Sequence, residues 1–276
     1  MSRVILNTQT GEITDLEGYT LQSPIQKEMI RKHYEKERAK LRMDGRWFIM
    51  CYHDPIRKII RDLSLIEAGA VIKLLPFLRF KSEGKLLKNG KPLKQSDIQH
   101  ILKRGKKATQ AILDRLETLG VIEKERDGRN NVYYISLTFH SMGDVISDAK
   151  FTKLYQVKAK QIADELDLNE IGLLYKILPF FHFQTYYLCD NPDEEEPEII
   201  RHLNREQLAA LIGHDPQTVY ENINKLRSKG VIMTTGSRNT THYLVHPDVM
   251  FRKEIEDEYT RVVRRMFEEH RRKSVN

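Results

Sequence analysis

The stretch "LSLIEAGAVIKLLPFLRF" (Leu63 to Phe80) carries apolar residues at helical spacing and predicts a helix over Ser64 to Leu78. The pattern returns in "LDLNEIGLLYKILPFFHF" (Leu166 to Phe183), which predicts a helix over Asn169 to Phe181. Leu63 matches Leu166, Glu67 matches Glu170, Gly69 matches Gly172, Pro76 matches Pro179 and Phe80 matches Phe183. Further on, "LETLGVI" (Leu116 to Ile122) matches "LRSKGVI" (Leu226 to Ile232), and Tyr133 matches Tyr243. Two matching blocks in the same order predict two copies of one fold rather than one large domain.

Each copy continues with a polar loop, two short helices and a hairpin. In the second copy Asn204 is placed to cap "REQLAALI" and Gly213 to stop it. Asp215 caps the next helix, with Pro216 at its first position, where a missing N–H costs nothing. Val219, Ile223 and Leu226 share one face, Gly230 ends the helix, and "VIMTT", a "GSRN" turn and "THYLV" predict two strands. In the first copy "SDIQHIL" (Ser96 to Leu102), the turn "KRGK", a helix over Lys106 to Leu119 with Leu113 and Leu116 inward, and the hairpin "VIEKER", "DGRNN", "VYYISL" repeat that order.

This order is that of a winged helix-turn-helix. The predicted class is mainly α with small β-hairpin wings (α+β), in tandem winged helix-turn-helix domains with long N- and C-terminal helices. The expected divisions are an arm and basic helix over 1–44, domains over 45–145 and 146–250, and an amphipathic helix over 251–276. The chain resembles winged-helix DNA-binding proteins and, more narrowly, RepL-type plasmid replication proteins and their phage relatives. The narrower resemblance rests on "NTQTGEI" (Asn7 to Ile13), the capped helix pair and the wing running into "HPDVMF" (His246 to Phe251). It implies a DNA-binding function, with one such domain in the usual family member and two here.

In a helix-turn-helix the second helix enters the major groove, where polar side chains distinguish the base pairs. With the apolar face inward, the outward residues of the second copy are Gln217, Thr218, Tyr220, Glu221, Asn224 and Lys225. Those of the first are Lys106, Lys107, Gln110, Ala111 and Asp114, with Lys103 and Arg104 in the turn. Gln and Asn suit adenine and Thr the thymine methyl, whereas lysines mainly hold phosphates. The wings add Arg126, Arg129 and Arg238, for the minor groove or the adjacent backbone. Two unlike units on one chain form a built-in pseudo-dimer for an asymmetric or imperfectly repeated site.

The flanks predict two more helices. "SPIQKEMIRKHYEKERAKLR" (Ser23 to Arg42) is basic, with Ile25, Met29 and Ile30 toward its start. Phe251 to Lys273 carries an apolar stripe of Ile255, Tyr259, Val262, Val263, Met266 and Phe267, to be buried on the repeats or in a homodimer. "DNPDEEEPE" (Asp190 to Glu198) is an acidic loop expected to face away from DNA.

Composition narrows the classes. The 276 residues are 40% hydrophobic and 31% charged, with a formal net charge of +7, which allows a packed core and suits a nucleic-acid partner. Cys51 and Cys189 are far apart, so no disulfide framework is expected. No signal core or membrane-length apolar run is found, and the expectation is a cytoplasmic protein. "GKLLKNGKP" fails as a phosphate loop: Gly84 to Gly90 is one residue too long, and Pro92 stands where Ser or Thr should bind magnesium. The histidines lack ligand spacing, and no hydrolase or dinucleotide motif stands out. The expectation is therefore no enzyme, no cofactor and no metal. Partners are double-stranded DNA and either RNA polymerase or replication proteins, without a membrane. The expected role is a transcription regulator of a phage or plasmid, with a replication initiator or an interaction scaffold as alternatives.

Overall fold

The computed structural model describes residues 4–6, 13–15, 23–40, 42–43, 46–128, 130–143, 146, 148–236 and 241–275, an α+β arrangement of helices and small antiparallel sheets. Residues 1–41 and 42–276 are two units. In the first, strands β1 (Val4–Leu6) and β2 (Ile13–Asp15) pair antiparallel, and helix α1 runs from Pro24 to Lys40. The Ser23 hydroxyl caps α1, accepting from the Gln26 N–H at 3.1 Å.

The second unit begins with β3 (Arg42–Met43), β4 (Arg46–Tyr52), α2 (His53–Ile59) and α3 (Leu65–Leu74). It continues through the hairpin of β5 (Leu87–Lys88) and β6 (Lys91–Pro92), then α4 (Gln95–Leu102), α5 (Lys106–Thr118), β7 (Ile122–Asp127), β8 (Asn130–Ile135) and β9 (His140–Ser141). The second half runs through β10 (Phe151–Tyr155), α6 (Gln156–Glu165), α7 (Leu168–Ile177), α8 (Arg205–Ile212), α9 (Pro216–Ser228), β11 (Ile232–Thr235), β12 (His242–Val245) and β13 (Met250–Phe251). Helix α10 (Glu258–Val275) follows. Apart from β3 and the β5–β6 hairpin, the two successions agree element by element.

Local chemistry explains the paired helices α3 and α7. Both start with reciprocal capping boxes, Ser64 with Glu67 and Asp167 with Glu170. Both pass into 3₁₀ turns, Leu75–Phe77 and Leu178–Phe180, around Pro76 and Pro179. A proline has no N–H to continue the α-helical ladder, so each α-helix stops about one turn before the end its apolar pattern predicts.

The halves join through reciprocal contacts. Strand β4 pairs antiparallel with β10, Met50 opposite Lys153, with Tyr52 opposite Phe151 and Phe48 opposite Tyr155. Strand β13 pairs β10 on one side, and β3 and β9 both pair β4 on the other, giving the order β13-β10-β4-β3 with β9 also on β4. A Cβ on Gly69 would lie 2.0 Å from the Leu168 carbonyl oxygen, and one on Gly172 would lie 1.9 Å from that of Leu65. Only glycine permits this approach. Because Leu65 matches Leu168, each half makes on the other the contact it receives, as about a local two-fold axis. The buried Lys73 ammonium donates to the carbonyls of Ala163 and Leu166, and that of Lys176 to those of Ile60 and Ile212. Carbonyl partners make burial of these ammonium groups tolerable. The halves thus share core contacts through α3 with α7 and β4 with β10.

The C-terminal helix departs from its predicted range. Phe251 belongs to β13, and α10 starts at Glu258 after Asp257, whose carboxylate accepts from the Thr260 N–H at 2.8 Å. Ile255 lies outside the helix and is 76% exposed, and Tyr259 and Met266 are half-exposed. Thr260, Val263 and Phe267 make the buried face. The Phe267 ring lies 4.6 Å from that of His246, and the Tyr186 hydroxyl meets the Thr260 hydroxyl at 2.6 Å. Arg264 and Arg46 both bind Asp248 and Glu256, joining α10 to β4. The helix therefore folds back onto the repeats. No described helix is long and apolar enough to cross a membrane.

Candidate nucleic-acid interface

The turns before α5 and α9 share a backbone and differ in chemistry. Lys103 and Gly213 each close the preceding helix in the left-handed region, with φ of 53° and 73°. Gly105 and Asp215 then start the next helix. The Asp215 carboxylate accepts from the Thr218 N–H at 2.8 Å and its hydroxyl at 2.5 Å, and these bonds hold it below the ordinary carboxylate range. Each second helix buries one stripe, Thr109, Ile112, Leu113 and Leu116 in α5, and Val219, Asn222, Ile223 and Leu226 in α9. A hairpin follows each, β7 with β8 and β11 with β12.

In the first half Lys103, Arg104, Lys106 and Lys107 are all exposed, and none pairs with an acid among the described residues. Gln110 is half-buried: it accepts from the Gln95 amide at 2.5 Å and donates to Asp114 at 2.6 Å. Ala111 and Asp114 are exposed. Lys124 on β7 binds Glu117 and lies 3.5 Å from Asp114, so part of the helix's acidity is answered by the hairpin that follows it. The hydrogen bond to Glu117 raises the Lys124 pKa. Arg126 is exposed and donates from Nε to the Gly128 carbonyl at 3.1 Å. Arg129 and Arg238 lie outside the described residues.

In the second half Gln217, Tyr220, Glu221 and Lys225 are exposed, and Thr218 and Asn224 are half-buried. Gln217 donates to Glu221 at 2.8 Å. Asn224 accepts from Arg227 at 3.1 Å, and its amide N–H groups have no partner among the described residues. The Thr218 hydroxyl serves the Asp215 cap. The Lys225 ammonium lies 3.2 Å from Glu170 and ties α9 to α7.

Two contacts escaped sequence reasoning. Gln95 at the start of α4 bonds Gln110, and Arg205 at the matching place in α8 lies 5.6 Å over the Tyr220 ring. In each half the first helix thus adds a side chain beside the outward face of the second. In the second half these residues open into a cleft of about 540 Å³, lined in part by Asn204, Arg205, Tyr220, Asn224, Arg227 and Tyr243. The pairing partner was visible only once the helices crossed. Arg205 binds its neighbour Glu206 at 2.7 Å, a pairing that raises the arginine pKa and lowers that of the carboxylate.

Among the described residues no group of three or more His, Cys, Asp or Glu is arranged to hold a metal ion. Cys51 and Cys189 are buried free thiols, and burial pushes the Cys189 pKa up to about 12. Comparison with protein-family models, curated proteins and solved structures finds no match to this chain.

Proposed function

We propose that this chain binds specific double-stranded DNA through two winged helix-turn-helix halves, α4–α5 with its hairpin and α8–α9 with its hairpin. The observation that carries the reading is the matched pair of second helices, each packed on one stripe and open along a polar one. The exposed Lys103, Arg104, Lys106 and Lys107 supply phosphate attraction, and Asn224, with Gln217 beside it, supplies base discrimination. The reciprocal joining of the halves favours an inverted arrangement of two unlike half-sites. No catalysis is needed: the protein occupies a site and blocks or recruits other machinery. In this proposal it acts as a transcription regulator of a phage or plasmid.

Asn224→Ala should relax preference at one base position and cost about 1–3 kcal/mol there. Lys103→Ala should weaken all duplexes alike and reduce the salt slope by about 0.9. Binding assays on a duplex selected from a random pool measure both. Absence of salt-dependent duplex binding would instead favour a protein-interaction scaffold. The RepL-like "HPDVMF" segment, which runs into β13, favours a second reading as replication initiator. Genome-wide mapping separates these, since a regulator marks promoters and an initiator marks iterated repeats.

A further inference from the structure

A charged hairpin lies outside the helix-turn-helix surfaces. Between α3 and α4, residues 81–94 contain Lys81, Lys85, Lys88, Lys91 and Lys94 against one acid, Glu83. Strands β5 and β6 close around Asn89 and Gly90, both in the left-handed region with φ of 52° and 77°, as a tight two-residue hairpin requires. Lys88 and Lys91 are directly opposed across this hairpin and are exposed. Like charges in that position repel. Neither has an acidic partner among the described residues.

The base of the hairpin is fastened beside the candidate interface. Lys85 bridges to Tyr134 of β8, its ammonium 5.3 Å from the ring centroid, and the Leu86 N–H donates to the Tyr133 carbonyl at 3.0 Å. On its other side, Lys94 directly precedes Gln95, which bonds Gln110 on the open face of α5. The hairpin therefore stands between the wing and the start of α4. In the second half the Cys189–His202 bridge occupies the matching place, and between its two strands runs an acidic segment with Asp190, Asp193, Glu194, Glu195, Glu196 and Glu198.

We infer that the Lys88–Lys91 hairpin tip is an additional binding site for the phosphate backbone of duplex DNA, next to the groove taken by α5. This rests on the DNA-binding reading above. A polyanion offsets the repulsion between the two lysines, and their rigid support lowers the entropy of placing them. The site makes backbone contacts one-sided: they extend past the first half and not past the acidic second half.

The test uses the full chain and random-sequence duplexes. Replacing two phosphate contacts in Lys88→Gln/Lys91→Gln should reduce the slope of log K against log salt by about 1.8, so that between 50 and 200 mM salt the wild type loses about tenfold more affinity than the variant. The charge-matched control Lys58→Gln/Lys160→Gln, on α2 and α6, should change the slope by less than half as much. Chemical acetylation of the wild type should show Lys88 and Lys91 protected by duplex. An unchanged slope, equal slope losses in both double variants, or unprotected lysines in a wild type that binds duplex would overturn the inference and leave DNA binding standing. A wild type that binds no duplex would overturn both.

Discussion

The α4–α5 and α8–α9 regions carry the same backbone beneath opposite surfaces. The Val121 N–H donates to the Leu116 carbonyl and the Val231 N–H to that of Leu226, both at 2.9 Å. The Ser136 and His246 N–H groups return to Val121 and Val231, both at 3.0 Å. Yet Lys103, Arg104, Lys106 and Lys107 correspond to Gly213, His214, Pro216 and Gln217, so four cations in one half face none in the other. The intervening loops diverge likewise, lysine-rich before α4 and acidic before α8. Shared residues fix the chain path, whereas residues on the open faces are free to differ. In the proposed function this divides the labour: the first half contributes salt-dependent affinity and the second contributes choice of sequence.

The largest expected effect lies where the halves meet. Gly69→Ala or Gly172→Ala drives a methyl into a carbonyl of the other half and should cost about 3 kcal/mol or more in chemical denaturation. Two silent variants would break the reciprocal crossing. Next is Lys176, which joins the last carbonyl of α8 to Ile60 of the first half. Lys176→Met strands both acceptors and should cost about 1–3 kcal/mol at neutral pH. Burial lowers the Lys176 pKa to about 8 from 10.5. Between those values the unfolded chain holds more protons, so this group makes stability rise with pH. Titrating stability from pH 8 to 10.5 should show that rise in the wild type and its loss in Lys176→Met.

The smallest effect sharpens the contrast between the turns. Lys103 adopts the left-handed conformation that Gly213 takes without strain. Lys103→Gly should raise stability by about 1 kcal/mol while weakening duplex binding. Thermal denaturation and a binding titration on the same variant read the two signs, and a loss of stability would contradict this account of the turn.

Legibility in the sequence followed the locality of the cause. Pro216, Asp215 and Gly213 act within one turn of their own positions, so the α8–α9 boundary was readable to within a residue. The sequence pattern does not mark strands β4 and β10 or helices α2 and α6 after them. "RWFIMCY" is apolar without alternation because β4 is central and buried, and such a run does not distinguish strand from helix. The C-terminal helix begins seven residues later than the apolar pattern predicts, since "FRKEIED" imitates an amphipathic turn. Asp257 with Thr260 was the available capping signal. On α5 the exposure of Lys106 and Lys107 follows from helical period alone. Gln95 and Arg205 could not be found so, because each meets its partner only after two helices cross.

In the proposed function two unlike faces, related by a local two-fold axis, engage one duplex. Selection of bound duplexes from a random pool, followed by hydroxyl-radical footprinting of the winning sequence, tests it most directly. Two half-sites of different sequence in inverted orientation are expected, with protection extending farther on the side lacking the bases read by Asn224. A perfect palindrome, a single half-site, or recovery of no preferred sequence would contradict it.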